Sequence, residues 1–149
     1  MKIIALAFAL AASTTWAAEQ TAFGVAGDPA KVTRTITIDM NDNMRYAPAA
    51  IDVKQGETVR FIVANKGATM HELVLGTKGD IDKHAKAMKS VPVSDAHAHH
   101  MHASPSMVQL PAGKSGEIVW RFNRAGIFEY ACLLPGHYES GMKGSISVK

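Results

Sequence analysis

Cysteine occurs once in this chain, at Cys132, so no disulfide can form within one molecule. Aromatic residues are sparse at 7%, and no apolar run approaches the roughly 20 residues that cross a bilayer as a helix. Charge of one sign is lacking too: 16 Lys and Arg are scattered among 13 Asp and Glu, for a formal net charge of +3. That balance argues against nucleic acid as a partner. Small exported domains usually lean on disulfides. The lone thiol is therefore an inert buried residue, an intermolecular bridge or reactive group, or a metal ligand, and its neighbours must decide.

The start of the chain sets the compartment. Lys2 precedes an apolar run from Ile3 to Ala12, and Thr15, Trp16 and Ala17 form a small-residue exit. This pattern predicts a secretory signal peptide over residues 1–17, since cleavage after Ala17 puts small Thr15 three places back, where cleavage after Ala18 would put Trp16. The mature chain is expected in the periplasm, without membrane insertion. No cysteine follows the signal to carry a lipid. Residues 18–149 suffice for one domain with a real core and not for two.

Residues 18–31 show no steady periodicity and include Gly27-Asp28-Pro29, which predicts a flexible lead-in, with the fold beginning near Val32. From there residues 32–40 alternate Ile36, Ile38 and Met40 against Thr35, Thr37 and Asp39. The segment 57–65 repeats the pattern with Val59, Phe61 and Val63, and 116–122 with Ile118, Trp120 and Phe122. HELVLG, MVQL, GIFEYAC and KGSISV read as further strands separated by glycine- and proline-bearing turns. Together they predict an all-β, antiparallel sandwich.

Residues 77–106 break the alternation and form an insertion longer than compact domains usually carry. Asp80 is expected to cap a short helix over residues 81–90, ended by Pro92. Beyond it His97, His99, His100 and His102 crowd together around Met101, with Met107 close by. The cluster is either a solvated loop or an auxiliary site taking up copper, with zinc competing. His84 and Met88, four apart, could face one ion, but a helix face packing Ile81, Ala85 and Met88 is the stronger reading.

Around the thiol the spacing is Cys132-x4-His137-x4-Met142. Pro135-Gly136 forces a turn and Gly141 permits close backbone approach, so one loop can aim three soft or borderline donors at a point. His71, at the head of HELVLG, supplies a second imidazole. Two nitrogens, a thiolate and a weak axial thioether make the ligand set of a type 1, blue copper site. Met142 is the most replaceable member, with Met70 the competing methionine. A Cys–His nucleophile pair is the enzymatic rival, but nothing marks an oxyanion hole.

These residues resemble the cupredoxins, small Greek-key β-sandwiches with one histidine between strands and Cys, His and Met on a C-terminal loop. The resemblance covers the whole mature chain, residues 32–149 forming the domain. NMRYAP, VKQGETVRF, TMHELVLG, GEIVWRF and ACLLPGHYESGMKG are similar in character to the CopI-like cupredoxins of periplasmic copper tolerance. That implies one copper held by His71, Cys132, His137 and Met142, a role in copper tolerance, and a periplasmic redox partner for any electron transfer. A dedicated respiratory electron shuttle is the alternative. Catalysis is not expected, because copper nitrite reductases and multicopper oxidases need a second copper site and further domains. One departure stands out: Glu72 follows the first histidine where many electron-transfer cupredoxins have Asn or Ser.

Overall fold

The computed structural model describes residues 20–90 and 104–149. Their strands are β1 (Val25–Ala26), β2 (Arg34–Asn41), β3 (Arg45–Ala47), β4 (Ala50–Val53), β5 (Thr58–Asn65), β6 (His71–Gly76), β7 (Met107–Leu110), β8 (Ser115–Arg121), β9 (Gly126–Ala131) and β10 (Lys143–Val148). Among the described residues, one α-helix, α1 (Lys78–Met88), lies between β6 and β7. The strands form two five-stranded sheets in the orders β1-β8-β5-β2-β3 and β4-β10-β9-β6-β7.

Period-2 alternation decides which side chains meet between the sheets. Ile38, Met40, Val59, Phe61, Val63, Ile118 and Trp120 are buried from the first sheet, against Leu73, Leu75, Phe128, Tyr130, Ile146 and Val148 from the second. Each such large apolar side chain stabilises the fold by roughly 1.5–3 kcal/mol. A one-residue slip would turn a strand's whole apolar set to solvent, so the pattern also fixes register.

The sandwich is Greek-key but not purely antiparallel. β2 runs parallel to β5, and β4 parallel to β10. The expectation of antiparallel pairing fails there because alternation reports which face is buried, not the direction of a neighbour. The chain crosses from sheet to sheet between β3 and β4 and again between β4 and β5. Two strands in the same sheet can then lie side by side in one direction without a hairpin.

The lead-in is not a loose tail. Phe23 is buried and stacks on Trp120 with ring centroids 4.8 Å apart, and β1 pairs antiparallel with β8. Trp120 Nε1 also donates to the Phe23 carbonyl at 3.3 Å. Gly24 permits this approach: at φ +143°, a Cβ there would lie 2.3 Å from the Arg121 carbonyl oxygen. The ordered fold thus begins before Val32, at a stretch too short to display periodicity.

The helix also starts earlier than its sequence signals suggest. Thr77, not Asp80, is the cap; its hydroxyl oxygen accepts from the Asp80 N–H at 3.1 Å and donates to the Asp80 carboxylate at 2.6 Å. Both residue types cap well, and this reciprocal arrangement satisfies two polar groups at once. Ile81, Ala85 and Met88 are buried as expected. Met88 is therefore core, whereas His84 is half-buried, its pKa lowered by burial. Pro92, the signal segment 1–17, and His97, His99, His100, Met101 and His102 lie outside the described residues. No helix among those described is long and apolar enough to cross a membrane.

Candidate metal centre

Sheet pairing brings the candidate ligands to one end of the sandwich. β6 pairs with β9 through Val74 and Ala131, so the head of β6, where His71 sits, lies beside the chain that leaves β9 at Cys132. β10 pairs with β9 through Lys143 and Ala131, and the Cys132 N–H continues that ladder to the Met142 carbonyl at 3.1 Å. Between them the loop closes on itself: the His137 N–H donates to Leu134 at 3.0 Å and the Met142 N–H to His137 at 3.0 Å. Arg45 anchors the loop from outside, its Nη1 donating to the Ser140 carbonyl at 2.7 Å. A Cβ on Gly141 would come within 2.8 Å of that guanidinium.

The donor atoms of His71, Cys132 and His137 all lie within 4.8 Å of one another. Cys132 Sγ is 3.3 Å from His137 Nδ1, and the two imidazole centroids are 5.1 Å apart. His71, Cys132 and Met142 are fully buried, and His137 is half-buried. Met142 is joined by its backbone to both Cys132 and His137, and Met70 packs partly buried against the core next to His71.

The residues around these ligands were mostly invisible in the sequence. His71 Nε2 lies 2.9 Å from Oδ1 of Asp42, in the turn that joins β2 and β3. Glu72 Oε1 accepts the Leu133 N–H at 2.8 Å, and the Tyr46 hydroxyl donates to the Glu72 carbonyl at 2.6 Å. Glu72, the departure noted in the sequence, thus ties the two ligand segments together. Asp42 and Arg45 carried no signal, since an Asp in an NDN turn and an Arg on a short strand are ordinary surface residues.

Electrostatics in the metal-free chain keep the thiol protonated and leave an imidazole ready to ligate. Burial, and then the Glu72 charge, push the Cys132 thiol up to about 12. Burial lowers the His137 pKa, so this imidazole is neutral with a lone pair to offer. His71 Nδ1 is buried with no hydrogen-bond partner. Leaving such a group unsatisfied costs about 1–3 kcal/mol, and its position among two further donors fits a site built around an ion. Imidazole and thiol donors suit copper, and a Mg or Ca site would need an oxygen-rich shell that these residues do not supply.

Comparison with known proteins agrees. The chain matches the family of copper binding proteins of the plastocyanin/azurin type over residues 32–149. It is 49% identical over 129 residues to the copper-resistant cuproprotein CopI of Rubrivivax gelatinosus, covering 87% of this chain and 74% of that one. It is 34% identical over 151 residues to the CopI of Pseudomonas aeruginosa, covering 86% and 83%. Among solved structures, auracyanin B superposes with a TM-score of 0.67 at 23% identity, covering 89% of this chain and 98% of that one. An azurin of Methylomonas sp. strain J does so with a TM-score of 0.59 at 20% identity, covering 79% and 99%. With its sandwich, its clustered His71, Cys132 and His137, and a family match running from Val32 to its last residue, the chain belongs to the plastocyanin/azurin family of copper-binding proteins, the cupredoxins.

Proposed function

We propose that the protein serves copper tolerance in the periplasm, holding one copper through His71, Cys132 and His137 with Met142 as the weak axial donor. The observation that carries this reading is the convergence of donor atoms of His71, Cys132 and His137 within 4.8 Å, with His71 Nδ1 buried and without a hydrogen-bond partner. The likeness to CopI of two organisms, each described as a copper-resistant cuproprotein, supports the tolerance role. The signal-like residues 1–17 support export.

A copper ion in this donor set supplies a one-electron couple, because imidazole and thiolate together accommodate both oxidation states. The chain's contribution is to hold the donors still. The short bonds through the 132–142 loop and the Glu72–Leu133 tie fix Cys132 and His137 relative to His71. Burial of Cys132 keeps water and other thiols from its sulfur. Half-buried His137 is the ligand nearest solvent and the natural edge for electron exchange with a redox partner. His97, His99, His100, Met101 and His102 form an auxiliary copper-binding segment in this reading, and no catalytic turnover is part of it.

Visible and electron paramagnetic resonance spectra of the copper-loaded protein, beside Cys132→Ser, test the site. An intense sulfur-to-copper charge-transfer band lost in Cys132→Ser supports it; a spectrum unchanged by that substitution removes it. Copper sensitivity of a deletion strain, restored by the wild-type chain and not by Cys132→Ser, tests the role. A respiratory defect without copper sensitivity would instead favour a dedicated electron shuttle, and steady turnover of nitrite or a phenol would revive an enzyme.

A further inference from the structure

His71 is held from behind by a charge. Asp42 Oδ1 lies 2.9 Å from His71 Nε2, and the same oxygen accepts from the Thr69 hydroxyl at 2.8 Å and the Thr69 N–H at 3.3 Å. Its partner oxygen accepts the Ala68 N–H at 2.6 Å. The segment from Asn65 to Thr69 is wrapped tightly around this carboxylate. A Cβ on Gly67 would sit 2.1 Å from Asp42 Oδ1, and Asn65 pins the segment by accepting from the Gly67 N–H at 2.9 Å and donating to the Thr69 carbonyl at 2.7 Å.

We propose that Asp42 is a positioning residue for the copper ligand His71: its carboxylate holds the imidazole proton on Nε2, leaves Nδ1 bare toward Cys132 and His137, and biases the site toward the cupric ion. An ionised carboxylate has no proton to give, so the 2.9 Å contact requires that Nε2 donate. A neutral imidazole carries one ring proton, and placing it on Nε2 leaves a lone pair on Nδ1. That nitrogen is the one that is buried without a partner. The correct tautomer and ring orientation are therefore set before any metal arrives.

Charge adds a second effect. A carboxylate behind a ligating imidazole raises the donor strength of the ligating nitrogen, and more donation stabilises the higher-charged ion of the couple. A neutral acceptor would hold the ring equally well without that bias. The Asp42 side chain is 41% exposed, so solvent screens part of its field and the effect is moderate.

The inference rests on the copper reading above, and the test separates the two. Long-range proton–nitrogen NMR of the copper-free protein near neutral pH should find His71 protonated on Nε2 and bare on Nδ1. A proton on Nδ1 would overturn the proposal whether or not copper binds. In the loaded protein, Asp42→Asn keeps an oxygen acceptor and removes the charge. It should raise the affinity for Cu(I) relative to Cu(II) by about tenfold, about 59 mV in a one-electron potential. An unchanged potential in Asp42→Asn overturns the cupric bias. Asp42→Ala should in addition mix the His71 tautomers; if that variant fails to fold by circular dichroism, the wild-type tautomer and the Asp42→Asn potential decide. A wild-type protein that takes up no copper would remove the copper reading and leave the tautomer measurement standing.

Discussion

Glu72 Oε1 takes the backbone N–H of Leu133 at 2.8 Å, so a buried side chain beside the first histidine fastens the loop that begins at the cysteine. The two residues lie 61 positions apart and belong to segments that no continuous backbone ladder joins at this point. Glu72→Ala strands a buried N–H, which should cost about 1–3 kcal/mol. Urea unfolding of the copper-free protein measures it, and a midpoint equal to the wild type would mean that the bond contributes nothing.

The same residue predicts a pH signature. Burial pushes the Glu72 carboxyl up to about 7, from an ordinary 4.5, against the opposing pull of the Leu133 N–H. Between 4.5 and 7 the native chain keeps a proton that the unfolded chain has shed, so raising the pH through this window favours unfolding. The stability contributed by the neutral carboxyl is fully present below 4.5 and lost above 7. Its size is on the order of 3 kcal/mol. Glu72→Gln, uncharged throughout, should flatten this slope in denaturation of the copper-free protein measured from about pH 4 to about pH 8. Parallel slopes for the two proteins would contradict it.

How much of this was legible in the sequence depends on distance along the chain. Cys132 and His137 share one turn-bearing loop, so spacing alone suggests their convergence, whereas His71 joins them only through the pairing of β6 with β9. Long strands announced themselves by alternation. β3 and β4 did not, because three and four residues are too few to show a period, although Tyr46, Ile51 and Val53 all face inward. Asp42 reaches a histidine 29 positions away and Arg45 a carbonyl 95 positions away, contacts that depend on the finished fold. At the helix start two good capping residues stood three apart, and only the local geometry chooses Thr77.

Phe23 tests whether the N-terminal segment belongs to the core. Its ring stacks on Trp120 at an interplanar angle of 16° and also meets Phe128 at 6.3 Å. Truncation to alanine removes both contacts and opens a cavity beside a buried indole, for a loss of about 3 kcal/mol. Equilibrium unfolding followed by tryptophan fluorescence should show the shift, and a change within about 0.5 kcal/mol would place Phe23 among ordinary surface substitutions.

The histidine-rich segment predicts a second copper population. Unperturbed imidazoles titrate near about pH 6.5, so uptake by His97, His99, His100 and His102 should fade in mild acid while the buried Cys132 site persists. Deleting residues 95–103 should remove copper bound beyond one per chain without altering the coloured site. Equal stoichiometry in both proteins by elemental analysis would rule out the auxiliary role.

Loading should release a proton from Cys132. With the thiol pushed up to about 12 in the metal-free chain, sulfur is protonated across the physiological range and binds copper only as thiolate. His137, its pKa lowered by burial, has no proton to lose at neutral pH. One proton per copper should therefore appear in solution, and apparent affinity should climb about tenfold per pH unit wherever the thiol is the only group that must ionise. Calorimetry in buffers of different ionisation enthalpy counts that proton directly. Cys132→Ser should abolish that release, and a wild-type count near zero would mean that the sulfur carries no proton before copper arrives.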